Sequence, residues 1–138
     1  MTPTKRLLIL ALLVLLPLAA YTQSVSPTTQ ATNTFNSNAL GSTVTNIKTS
    51  PGNLWGMSAF NGHAAACFIQ VFDALAANVV LGTTAPTFVL PVAGTAISNV
   101  FPTIPIRNFK VAISVASTTT ATGSTACTTT TVVTFTYK

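Results

Sequence analysis

The sequence predicts an all-β protein, a single antiparallel β-sandwich of seven or eight strands over residues 39–138, Ig-like or jelly-roll-like in its connections. Three observations carry this. Short apolar or alternating runs recur from residue 39 onward, Gly, Pro and Asn punctuate them, and past the first twenty residues no window holds a helical period over three turns.

In chain order, residues 1–20 read as a secretory signal helix. Lys5 and Arg6 precede an unbroken apolar run from Leu7 to Leu16, and Pro17 to Ala20 turns toward small residues, so cleavage is expected after Ala20. The run falls short of the roughly 20 residues of a membrane span. The mature chain is therefore expected to be secreted, periplasmic or at the cell surface, without a stable span, an N-terminal membrane anchor or a place in a virion being the alternatives. Residues 21–38 (YTQSVSPTTQATNTFNSN) carry few apolar side chains and no period, and read as a flexible Ser/Thr/Asn-rich linker.

Strands are expected at 42–48, 54–60, 64–72, 79–81, 87–92 and 96–100, then at 108–117 and 127–138. In NFKVAISVAS (108–117), Phe109, Val111, Ile113 and Val115 alternate with Lys110, Ala112, Ser114 and Ala116, so one face should be buried and the other wet. In the last run Val133, Phe135 and Tyr137 share the parity of Cys127, and that parity should face the core. The small-residue link STTTATGSTA, with Gly123 free to take positive φ, makes 108–138 one long hairpin. The 64–72 run is apolar on both parities, hence either central and covered on both sides or half exposed at a contact surface. With Cys67 bridged, Ile69 and Val71 go to the core, and Phe68, Gln70 and Phe72 become an outward interface.

Composition removes most chemistry. The 138 residues include one acidic side chain, Asp73, one histidine, His63, and six basic ones. Paired-carboxylate hydrolysis needs two acids and a Mg²⁺ or Ca²⁺ cage needs several. A zinc site would have to gather His63, Cys67, Cys127 and Asp73 together. No catalytic residue, cofactor or metal is expected, and the chain reads as a non-enzyme. Loss of Lys5 and Arg6 with the signal leaves Lys48, Arg107, Lys110 and Lys138 scattered, which is no footprint for nucleic acid.

Cys67 and Cys127 form an even pair in an exported chain, so a disulfide is expected; the rival is a Cys67 thiolate activated by His63. His63 itself reads as an exposed turn residue, and Asp73 as making a local turn bond at the start of the 73–78 loop. Trp55 reads first as core and second as a stacking platform for carbohydrate, with Asn53, Asn61 and Gln70 as polar partners.

The segments IKTSPGNLWGMSAFN (47–61), FIQVFDA (68–74), VVLGTTAPTFVLPV (79–92) and TTTATGSTA (118–126), with the Tyr137-Lys138 terminus, resemble small uncharacterised β-sandwich proteins of tailed phages and environmental bacteria that look virion-associated. The resemblance implies the fold and a structural role, and no catalytic residues. The signal peptide and the cysteine pair depart from it, pointing to an exported copy. The expected function is a non-enzymatic extracytoplasmic structural or interaction module, with a protein partner or self-association. Alternatives are a carbohydrate- or ligand-binding sandwich, with a glycan as partner, and a pilin-like surface subunit, although the lead-in lacks an alternating donor strand.

Overall fold

The structure is a computed structural model describing residue 31 and residues 33–127 and 131–138. The expected signal and most of the expected linker lie outside the described residues. Nine strands are present among those described: β1 (Asn33–Ser37), β2 (Thr45–Lys48), β3 (Gly52–Asn61), β4 (Cys67–Phe72), β5 (Phe88–Val92), β6 (Ala96–Val100), β7 (Arg107–Phe109), β8 (Ile113–Thr118) and β9 (Thr131–Tyr137). They form two antiparallel sheets. The first runs β1-β9-β3-β6, with β7 also on β3, and the second runs β2-β8-β4-β5.

Side chains alternate across a strand, so one parity of each faces the opposite sheet. Met57, Val133 and Phe135 of the first sheet meet Ile69, Val71, Ile113 and Val115 of the second in one buried cluster. The β-sandwich read from the sequence is therefore the fold, and the parity expected for β9 holds, with Val133 and Phe135 buried.

Four local expectations are corrected. Residues 33–37, placed in the linker, form β1, which pairs with β9 from Asn33↔Tyr137 to Ser37↔Val133. Its single inward apolar side chain, Phe35, sits 6.2 Å from the Phe135 ring. Backbone pairing holds β1 more than apolar pattern does. The long hairpin over 108–138 is absent, because β8 pairs with β2 and β4 while β9 pairs with β1 and β3 in the other sheet. The run 108–117 is itself cut in two: the chain changes sheets at Lys110 to Ala112, leaving Val111 52% exposed. Finally, residues 79–81 are not a strand.

The chain crosses between sheets at the two ends of the sandwich. Connections β1→β2, β3→β4, β5→β6 and β8→β9 cross at one end, and β2→β3 and β7→β8 at the other. Buried Asn61 ties the crowded end: its Nδ2 donates to Ala65 O (2.8 Å), Ala93 O (3.1 Å) and Val92 O (3.2 Å), while its Oδ1 accepts the His63 N–H (2.9 Å). Thr95, at φ 52°, donates its N–H to His63 O, and a Cβ on Gly94 would run into Ala64 O, so the two crossings pack backbone against backbone.

The opposite end is clasped by Asp73. Its bonds are not local. Oδ2 accepts the Lys110 N–H (2.9 Å), and Oδ1 accepts those of Val111 (2.7 Å) and Ala112 (3.4 Å), across the β7→β8 crossing. Partial burial opposes ionisation, but these three donors and the Lys110 charge outweigh it and hold the carboxyl below its ordinary 3.8. A depressed folded pKa stabilises above the unfolded value and loses that contribution as pH falls through the folded one. Asp73→Asn should therefore cost about 1–2 kcal/mol at pH 7, since the bonds lie near solvent. Urea midpoints should show that gap closing below about pH 4; an equal gap at pH 7 and pH 2.5 would exclude the clasp as an ionic one.

The outer face of the second sheet is roofed, not wet. One cover is the segment 73–87: Ala74 O accepts from Ser114 Oγ (2.8 Å), the Ala76 N–H donates to Asn46 Oδ1 (2.8 Å), and the Thr87 N–H returns to Val71 O (2.8 Å). The other is the loop 119–126, pinned by Gln70 Nε2, which donates to Thr118 Oγ1 (2.6 Å), Gly123 O (3.0 Å) and Thr120 O (3.1 Å). The covers meet where Gly82, at φ 83°, approaches Ser124. All six residues of β8 are buried as a result.

Candidate functional site

The cysteines lie at the crowded end. Cys67 opens β4, Cys127 precedes β9, and they form a disulfide across a Cα–Cα distance of 5.8 Å, inside the range such bridges require. The bridge removes the thiolate rival. His63, Cys67 and Cys127 place a donor atom each within 4.8 Å of one another, and Asn61 Oδ1 stands 3.1 Å from Cys67 Sγ. The group is still a poor metal centre, because both sulfurs are spent on each other and His63 Nδ1 accepts the Ala65 N–H at 3.0 Å.

The expected interface of Phe68, Gln70 and Phe72 does not form an outward patch. These side chains do leave the core face of β4, yet Gln70 and Phe72 are fully buried beneath the two covers and Phe68 is half-buried. The strand is central, paired with β8 on one side and β5 on the other. Of the two readings its sequence allowed, coverage on both faces is the observed one.

The open face belongs to the first sheet. Antiparallel register lines its outward residues into rows. At one end Val132, Phe60 and Ile97 stand directly opposite one another across β9, β3 and β6, all exposed, with Ile97 at 63%. Next comes a polar row, Asn36, Thr134, Ser58 and Asn99, in which Thr134 Oγ1 donates to Asn36 Oδ1 (2.9 Å) and Ser58 Oγ to Asn99 Oδ1 (2.6 Å). The third row holds Thr34, Thr136 and Gly56. None of these outward residues is charged.

Trp55 lies at this third row. The β3–β9 register slips between Leu54 and Gly56, so Trp55 is an extra residue in β3, and such bulges re-aim side chains. Trp55, Phe101, Pro102, Thr103, Thr136 and Ala31 line an open depression of about 260 Å³. Glycine leaves room beside it, because a Cβ on Gly56 would run into the Phe101 ring and stand 2.8 Å from Thr136 Oγ1. Phe101 is 59% exposed, and Trp55 is half-buried, with its Nε1 enclosed and without a hydrogen-bond partner among the described residues.

Two of the polar partners expected around Trp55 are elsewhere. Asn61 and Gln70 are buried and committed to the crossings and the loop cover. Thr136 and Thr103 take their place. Phe101 escaped the sequence reading because FPTIPI presents as a loop, and only the Gly56↔Phe101 proximity gives it a role. No protein-family model, curated protein or solved structure significantly matches this chain.

Proposed function

We propose that the chain is a non-enzymatic, extracytoplasmic structural or interaction module that associates with further copies of itself through the outer face of the first sheet. The row Val132–Phe60–Ile97 carries this reading, since it stands exposed beside two further outward rows that hold no charged residue. Covering apolar surface gains about 25 cal/mol per Å², whereas a charged partner finds no complement there. A second copy offers the same row, as a twofold contact requires.

Other features support the remaining parts. The sole carboxylate is occupied by three backbone donors and His63 Nδ1 by a fourth, so neither stands ready as a base. The bridge suits an oxidising compartment. Among the described residues no helix is long and apolar enough to cross a membrane. The likeness to virion-associated β-sandwich proteins, which would assemble in many copies, favours the same role.

Light scattering on the chain from residue 21 onward tests it. The mass should rise with concentration toward a dimer or larger species, and Ile97→Lys should keep the protein monomeric without changing its melting. A wild-type chain that stays monomeric at about 1 mM would overturn the proposal.

A further inference from the structure

We propose that the depression at Trp55 binds one ring of an uncharged saccharide, the threonine hydroxyls meeting its hydroxyl groups while Trp55, Phe101 and Pro102 cover its apolar face. The proposal does not rest on self-association. Gly56, beside Trp55, lies about 13 Å along β3 from the Phe60 row, at about 3.3 Å per residue.

The walls are two aromatic rings and a proline, and the polar groups are the hydroxyls of Thr103 and Thr136. Such a lining suits a molecule with C–H faces and hydroxyl edges. It holds no cation for a phosphate or carboxylate and no carboxylate for an amine. A volume of about 260 Å³ lies below the roughly 300–1,000 Å³ of sites for drug-sized ligands, which matches one sugar ring.

The site also has the marks of a built one. The bulge in β3 turns Trp55 toward it, and glycine at 56 leaves room for the Phe101 ring against the sheet beside Thr136. An exposed phenylalanine held over a glycine, next to an indole, is costly as mere surface. It is useful as a stacking wall.

Trp55 is the only tryptophan, so its emission and its single indole N–H resonance report on this depression alone. Titration of the full exported chain with neutral oligosaccharides (cellohexaose, laminarihexaose, maltohexaose, mannohexaose) should shift both signals for at least one of them, and a sulfated polysaccharide should not. Phe101→Ala, at an exposed position, should abolish the response, and Thr136→Val should weaken it about tenfold. Ile97→Lys, at the far end of the face, should leave it unchanged, which separates this proposal from self-association. No shift at about 10 mM of any neutral oligosaccharide, with the protein folded, overturns it. So does an indole resonance that moves on deleting residues 21–30 but not on adding sugar, which would assign the depression to the chain's own N-terminal segment.

Discussion

Replacing both cysteines with alanine should lower the melting temperature by about 10–25 °C. The Cys67–Cys127 bridge spans 60 residues of sequence, and in the chain-entropy treatment a loop of that length is worth about 4 kcal/mol, an upper figure because the cross-linked chain keeps residual structure when unfolded. In a domain of this size each kcal/mol moves the melting temperature by roughly 4–8 °C. Location should add to the effect. Without the bridge, the β8→β9 crossing keeps Leu40 N–H to Thr131 O, the Cys127 N–H to Ser117 O and the Ser117–Thr131 hydroxyl bond. Calorimetry on the double variant and on the reduced wild type should agree. A drop under about 3 °C would mean that the crossings are held by their own hydrogen bonds.

The sequence was legible where one parity decided burial. Residues 67–72, 88–92, 96–100 and 131–137 fall within expected strands, and the inward parity of the last is the observed one. It misled where chain direction depended on partners distant in sequence. Nothing local in NFKVAISVAS announces that it divides at Lys110–Ala112, because the cause is the carboxylate of Asp73, 37 to 39 positions earlier. Ala112, Ser114 and Ala116 looked like a wet face for the same reason: small residues suit an exposed face, and equally a face pressed against a loop. β1 was illegible because NTFNS has one apolar side chain and gains its place by pairing with β9. Of the candidate site, the cysteine pair and Trp55 were visible as residue types. The neighbours that matter to Trp55 come from register, through Gly56 and Thr136, and from a proline-rich connection, through Phe101.

Gln70→Leu should cost about 2–4 kcal/mol, although leucine is apolar and the site is fully buried. Gln70 sits at the centre of β4, on the parity facing away from the core, and its amide nitrogen holds Thr118 Oγ1, Thr120 O and Gly123 O. Leucine would fill much of the volume while stranding acceptors, and each buried group left unsatisfied costs about 1–3 kcal/mol. Thr118 Oγ1 also donates to Thr120 O at 2.7 Å, so one of those carbonyls keeps a partner and the estimate stays below the simple sum. The damage should be uneven. Gln70 fastens the loop 119–126, whereas 73–87 has its own ties to Ser114, Asn46 and Val71. Hydrogen exchange should therefore speed up at Thr119 and Gly123, whose N–H groups donate to Thr125 O and Thr120 O, well before it does at the Val79 and Thr83 amides. Uniform acceleration across both loops would show that the two covers open as one unit and that Gln70 does not hold its loop independently of the other.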